Sequence, residues 1–145
     1  VKGPLGTFTL QKDGNKPIIL LATGTGYAPI RSILLDLIHQ NSERPVHFYW
    51  GARQQEDLYA LEEAEALIGR LKNAKFSPVL SKPDSEWKGE NGYVQNVAAQ
   101  NYPDLSQYEV YACGSPAMTE NAQSLLTQNC ALPEDAFFCD AFSPA

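Results

Sequence analysis

The chain has 145 residues, of which 43% are hydrophobic and 19% are charged, and its formal net charge is −6. This composition is typical of one globular domain, and the excess of acidic residues argues against binding to a polyanion. No apolar run approaches the ~20 residues of a membrane-spanning helix. The three cysteines are widely spaced and fit no metal or iron–sulfur motif. We therefore expect reduced thiols, no metal site and a cytoplasmic protein.

Along the chain, strongly apolar runs alternate with segments of helical periodicity. The run PIILLAT (17–23) predicts a strand that is buried on both faces, and apolar residues at helical spacing follow from 30 to 38. Pro78 indicates that the third strand lies at an edge or contains a bulge. The alternation predicts an α/β fold with a doubly wound, five-stranded parallel sheet in the order 3-2-1-4-5. The further predicted strands cover 46–50, 76–81, 108–114 and 136–142, with helices at 58–71, at 92–102 and around 118–126.

The loop after the first strand is the strongest candidate for a binding site. Gly24, Thr25 and Gly26 connect a strand to a helix, and such a loop presents backbone N–H groups to an anion. Pro29 suits the first turn of that helix but stands where the dinucleotide fingerprint has its third glycine. The second strand ends in WGAR (50–53) instead of an acidic residue. The loop therefore either binds a dinucleotide in a different manner or is a structural turn.

Six segments in this order resemble the ferredoxin–NADP reductase superfamily: GPLGTF, ATGTGYAPIRS, YWGARQQEDLYALEE, WKGENGYVQ, VYACGSPAM and FFCDAF. Within that superfamily the chain is most similar to NAD(P)H–flavin reductases and the reductase components of oxygenases. The resemblance implies the NAD(P)H-binding domain of a flavoprotein oxidoreductase. Such a domain passes a hydride to FAD or FMN, and electrons continue to a ferredoxin-type protein, an oxygenase or free flavin. The alternative is a non-catalytic module that senses NAD(P)H or docks a partner.

The same resemblance predicts the division of the chain. Residues 1–16 are similar to the last strand and linker of a flavin-binding β-barrel, and residues 17–145 to the NAD(P)H-binding domain. The motif with which the family's barrel holds its flavin does not occur in this sequence. We therefore expect the flavin to be held mainly by a further domain of a longer chain.

The resemblance also implies roles for individual residues. The glycine loop would lie under the nicotinamide and pyrophosphate. Cys113 would lie beside nicotinamide C4, although a strand cysteine is more often an inert buried thiol. Phe142 would cover the flavin ring, and Asp140 would be a polar residue nearby. The residues assigned to cofactor binding are Gly24, Thr25, Gly26, Pro29, Arg53, Gly114, Ser115, Pro116 and Met118.

Arg53 bears on the choice between the two nicotinamide cofactors. It would contact the adenosine ribose, or the 2′-phosphate of NADPH, and the alternative is a surface arginine paired with Glu56 or Asp57. Its neighbours Gln54 and Gln55 carry no positive charge. A dianionic 2′-phosphate would therefore be poorly neutralised, which favours NADH.

Overall fold

The structure, a computed structural model, describes residues 16–87 and 89–141. In that part of the chain six parallel strands form one sheet in the order β4-β3-β2-β1-β5-β6. The strands are β1 (Ile18–Thr23), β2 (Val46–Ala52), β3 (Ala74–Leu80), β4 (Glu90–Asn91), β5 (Glu109–Gly114) and β6 (Phe137–Ala141). The helices are α1 (Tyr27–His39), α2 (Leu61–Gly69), α3 (Val94–Asn101) and α4 (Pro116–Asn129).

The predicted fold class and the predicted order of five strands are confirmed. The sheet differs from the prediction by β4, which pairs with the end of β3 through Val79 and Leu80. Its two residues, Glu90 and Asn91, are polar and exposed. A strand of this length has no alternation of apolar and polar residues, so the sequence carries no signal for it.

Alternate residues of β1 explain the long apolar run at the start of the sheet. Ile18, Leu20 and Ala22 pack in the same cluster as the buried residues of α1 and α2. Ile19 and Leu21 face the opposite side and pack in the cluster that includes α3 and α4. Both faces of the strand are therefore covered by helices, as expected for a doubly wound sheet. No helix in the described part of the chain is long and apolar enough to cross a membrane.

β3 confirms the edge position that Pro78 indicated. Among the described residues, the outer side of β3 pairs with another strand only at Val79 and Leu80. The segment 74–78 lies at the edge of the sheet, and its inner side pairs with β2. A proline lacks the N–H that a continuous ladder needs, and it is tolerated there because the described residues place no outer strand beside it.

His47 in β2 joins three elements away from the glycine loop. Its Nδ1 lies 2.8 Å from the hydroxyl of Tyr102, and its Nε2 lies 2.8 Å from Oγ of Ser77. Its ring stacks on Tyr49 with centroids 4.1 Å apart. Burial, with a smaller contribution from the charge of Lys75, lowers the pKa of His47 to about 4. The imidazole is therefore neutral at physiological pH.

β1 lies between β2 and β5, and the direction of winding reverses at this point. The chain proceeds from β1 outward to β2 and β3, and then returns to the other side of β1 to form β5 and β6. In open α/β sheets ligands bind at such a switch point, outside the carboxyl ends of the strands. The loops after β1 and β5 meet there, with Gly26 against the backbone carbonyl of Cys113.

Candidate functional site

Two adjoining cavities open at the carboxyl ends of the strands. The first has a volume of about 460 Å³ and lies between the glycine loop, the end of β2 and the start of α3. The second has a volume of about 520 Å³ and lies between the starts of α3 and α4. Thr23 and Tyr93 line both cavities, so the two adjoin, and together they are called the crevice. The other lining residues with a part in the site are Gly24, Gly51, Arg53, Asp57 and Tyr59 in the first cavity, and Gln95, Ser115, Met118 and Asn121 in the second.

The glycine loop forms one turn of 3₁₀ helix between β1 and α1, and its two glycines serve different purposes. Gly24 has a φ of +53°, and a Cβ at this position would meet open space. Gly26 is buried, and a Cβ there would overlap the backbone carbonyl of Cys113. Gly24 is therefore required by backbone conformation and Gly26 by close packing of two chain segments. Pro29 lies in the first turn of α1, as predicted, and does not line either cavity.

Trp50 lies beneath the glycine loop. Its side chain is fully buried, and its indole Nε1 donates a hydrogen bond of 3.3 Å to the carbonyl oxygen of Gly24. The indole stacks on Tyr27 with centroids 4.4 Å apart, and Tyr59 packs against it edge-on at 5.3 Å. Tyr59 in turn is 62% exposed and lines the first cavity. Contacting aromatic side chains, from the buried Trp50 to the exposed Tyr59, therefore connect the loop to the wall of the crevice.

The end of β5 and the start of α4 form the opposite wall. Cys113 is fully buried and belongs to the same apolar cluster as Tyr27 and Trp50. A Cβ on Gly114 would overlap Oγ1 of Thr23, so this glycine permits β1 and β5 to end close together. Ser115 caps α4, and its Oγ accepts a hydrogen bond of 3.2 Å from the backbone N–H of Met118. Pro116 follows as the first residue of that helix.

Arg53 projects into the first cavity from the end of β2. The residue is exposed, and within the described residues no carboxylate lies in ion-pair distance of it. Asp57 instead accepts a hydrogen bond of 3.4 Å from the backbone N–H of Gln54 and caps a short 3₁₀ turn. The pairing of Arg53 with Glu56 or Asp57 that the sequence left open is therefore not observed. The guanidinium remains available to a ligand.

The second cavity contains a buried amide that the sequence did not identify. Gln95 is 7% exposed, and its Nε2 donates a hydrogen bond of 2.9 Å to Oδ1 of Asn121. Its Oε1 is buried and has no hydrogen-bond partner among the described residues. A buried polar atom without a partner costs free energy, so this oxygen fits an acceptor for a ligand donor. The exposed ring of Tyr93 stands at the mouth of the same cavity.

Two of the predicted site residues lie at the end of the chain. Asp140 lies on β6, where its backbone is in register with Cys113 of β5. Phe142 falls outside the described residues. Within the residues that the structure describes, no three His, Cys, Asp or Glu side chains converge on a metal position.

Comparison with known proteins identifies the class to which this fold and crevice belong. Residues 20–124 match the model of the oxidoreductase NAD-binding domain, and the chain belongs to that family. Over its whole length it is 42% identical to CDP-6-deoxy-L-threo-D-glycero-4-hexulose-3-dehydrase reductase of Yersinia pestis, of which it covers 43%. It is 32% identical to NAD(P)H-flavin reductase of Vibrio harveyi, with 99% of this chain and 60% of that protein aligned.

The fold is shared with a solved reductase. The crystal structure of the Amycolatopsis cytochrome P450 reductase GcoB matches with a TM-score of 0.85 and 26% identity, over 94% of this chain and 41% of that one. The chain thus spans about half the length of the proteins that it matches. The family resemblance inferred from the six sequence segments is confirmed.

Proposed function

We propose that this chain is the NAD(P)H-binding domain of a flavin-dependent reductase. It would hold the dinucleotide in the crevice and present nicotinamide C4 to a flavin carried by another domain. The observation that carries the proposal is the open glycine loop at the switch point of a sheet whose family binds NAD. The flavin reductase and dehydrase reductase names of its relatives support the same reaction class. Electrons would then pass to a ferredoxin-type protein, an oxygenase or free flavin.

The two cavities suit the two ends of the dinucleotide. We place the adenosine and the phosphates in the first cavity, between Gly24 and Arg53, where backbone N–H groups and a guanidinium are available. The nicotinamide end would extend toward the second cavity, which is lined by Ser115 and Met118 just after Cys113.

The reacting end is proposed from the positions of three residues. Cys113 and Asp140 occupy paired positions on neighbouring strands, and Phe142 follows two residues later. In the proposed enzyme Cys113 orients nicotinamide C4, and Phe142 covers the flavin ring until the nicotinamide arrives. Hydride transfer needs the two rings held close and dry, and the cofactors supply the remaining chemistry. The odd number and wide spacing of the three cysteines support the proposed location in the reducing cytoplasm.

Gly24→Asn tests the placement of the nucleotide. Asn tolerates a positive φ, and its side chain would project into open space at the loop, so we expect a folded protein with at least tenfold weaker NADH binding. Isothermal titration calorimetry of the wild type and the variant measures the effect. Unchanged affinity in the folded variant would place the nucleotide elsewhere, and absence of NADH binding to the wild type would reject the proposed function.

Charge in the first cavity supports a preference for NADH. Arg53 supplies a positive charge to the cavity wall and Asp57 a negative one, so the net charge there is poorly suited to a dianionic 2′-phosphate. We expect NADH to bind at least as tightly as NADPH, and Gln55→Lys to shift the preference toward NADPH. Gln123→Lys adds the same charge on the exposed face of α4 and should leave the ratio unchanged. A tenfold preference of the wild type for NADPH would contradict the proposal.

A further inference from the structure

We propose that Trp50 is a positioning residue of the dinucleotide site. Its indole N–H holds the peptide group between Gly24 and Thr25 in the orientation that directs the Thr25 amide toward a phosphate of the bound nucleotide. The inference rests on the proposed function, because it names the group that prepares the same crevice for its ligand.

The direction of the Thr25 amide follows from the direction of the Gly24 carbonyl. Nε1 of Trp50 lies 3.3 Å from that carbonyl oxygen, and the indole is fully buried. In a planar trans peptide the C=O and the N–H point in opposite directions, and the described chain contains no cis peptide. The Thr25 amide is therefore directed away from the buried indole. Gly24 itself lines the first cavity, so this peptide stands at the cavity wall.

The loop needs such a restraint because glycine has little preference among backbone conformations. Gly24 adopts a φ of +53°, and glycine can leave this conformation at small steric cost. If the peptide rotated, its carbonyl oxygen would face the cavity and repel a phosphate. The hydrogen bond from Trp50 opposes this rotation before any nucleotide arrives, which lowers the cost of ordering the loop on binding.

Contacts on α1 and α2 keep the indole in place. Tyr27 stacks on Trp50 with an interplanar angle of 11°, and its hydroxyl donates a hydrogen bond of 2.6 Å to Oε1 of Glu63. Nε of Arg31 donates to the same oxygen at 2.9 Å. Burial and the neighbouring Glu63 carboxylate raise the pKa of Tyr27, so its hydroxyl stays protonated. A chain of contacts therefore connects α2 to the glycine loop through two aromatic rings.

Trp50→Phe tests the role of the indole N–H, since phenylalanine retains an aromatic ring but cannot donate. Trp87→Phe is the matched control, because Trp87 also donates to a backbone carbonyl, that of Glu90 at 2.9 Å, in a surface turn. Calorimetric titrations use NADH, ADP-ribose and adenosine. We expect about tenfold weaker binding of NADH and ADP-ribose to the Trp50 variant, with adenosine unaffected because it lacks phosphates. The Trp87 variant should bind all three as the wild type does.

The outcomes separate this inference from the proposed function. Equal affinities in the Trp50 variant, or an equal loss for adenosine, would show that Trp50 serves packing alone and overturn the inference. A wild type that binds neither NADH nor ADP-ribose would overturn the proposed function and the inference with it. A second measurement needs no variant: the indole ¹⁵N–¹H resonance of Trp50 should shift on addition of ADP-ribose and not of adenosine. Absence of that selective shift also overturns the inference.

Discussion

At the scale of single residues, the crevice depends on glycines that permit close approach of the chain. Gly26 lies against the backbone carbonyl of Cys113, and Gly114 lies against Thr23. Gly51 is similarly close to Val94, whose Cγ1 would lie 2.7 Å from an added Cβ. Because these positions lack side chains, β1 and β5 can end close together, and α3 can begin close to β2. Gly24 differs, since open space surrounds it and only its φ excludes most residues.

This difference predicts a large loss of stability for one substitution in the loop and a small loss for another. Gly26→Ala forces a Cβ against backbone that cannot rotate away, so we expect a loss of about 3 kcal/mol in the free energy of unfolding. Gly24→Asn keeps the positive φ at a cost of less than about 1 kcal/mol, because Asn tolerates this conformation. Urea denaturation of both variants checks the values. Equal losses would mean that Gly26 is not tightly packed.

The sequence identified the glycine loop and Arg53, but it did not identify every residue of the crevice. Trp50 lies in a run of strand residues, and the sequence pattern does not distinguish it from a residue that only packs. Its hydrogen bond to Gly24 depends on the direction of a carbonyl 26 residues earlier, which local patterns do not contain. Gln95 lies among polar residues of a short helix, and its burial arises from contact with Asn121 on α4. Such contacts depend on tertiary structure.

At the scale of secondary-structure elements, the apolar runs predicted five strands and four helical segments in the correct order. Boundaries were less accurate where polar capping contributes. The second helix was predicted from residue 58, but α2 begins at Leu61 because Gln54 and Asp57 cap a separate 3₁₀ turn at residues 55–57. β4 was missed for the related reason that two polar residues form it. Long periodic segments are predictable, whereas turns that depend on side-chain hydrogen bonds are less so.

His47, which contacts β3 and the residue after α3, makes the free energy of unfolding depend on pH. The folded protein lowers the pKa of His47 to about 4, below its unfolded value of 6.5. Between these values the unfolded state binds more protons, so the free energy of unfolding should decrease as the pH falls from about 6.5 to 4. The decrease is at most about 3.5 kcal/mol, since one pKa unit corresponds to about 1.4 kcal/mol, and solvent at the half-buried ring makes it smaller.

Variants distinguish this histidine from the carboxylates that also titrate at low pH. His47→Gln should remove the His47 contribution from the pH dependence, measured by urea denaturation between about pH 4 and pH 7. His39→Gln, on the exposed end of α1, should retain the slope of the wild type. If the two variants show the same slope, His47 does not titrate as a buried neutral group.

At the scale of the whole molecule, the sheet brings the glycine loop, Arg53 and the end of β5 together at the carboxyl ends of its strands. The predicted order of five strands places the carboxyl ends of β1 and β5 side by side, at the switch point where the crevice opens. The expectation of a flavin and of an electron acceptor comes from the family resemblance alone. The flavin belongs, in our proposal, to another domain.

We therefore expect the 145-residue chain to bind NADH but not to oxidise it. Purified protein should be colourless and should not reduce ferricyanide with NADH, because no flavin is held close to the nicotinamide. Joined to a flavin-binding domain, the same chain should become a reductase. Cys113→Ala in that longer protein should slow flavin reduction more than it weakens NADH binding, as measured by stopped-flow absorbance. Tightly bound flavin in the 145-residue chain would contradict the proposal that another domain holds the flavin.

Pro78 has a consequence for how the molecule meets other copies of itself. It lies at the outer edge of β3, where the described residues offer no neighbouring strand before Val79. Exposed edges can recruit strands from a second molecule and start aggregation. Pro78 lacks an N–H donor, and the exposed Lys75 adds a charge on the same edge, so strand addition is opposed there. Two edge residues that line neither cavity of the crevice thus protect the domain against intermolecular β-sheet growth.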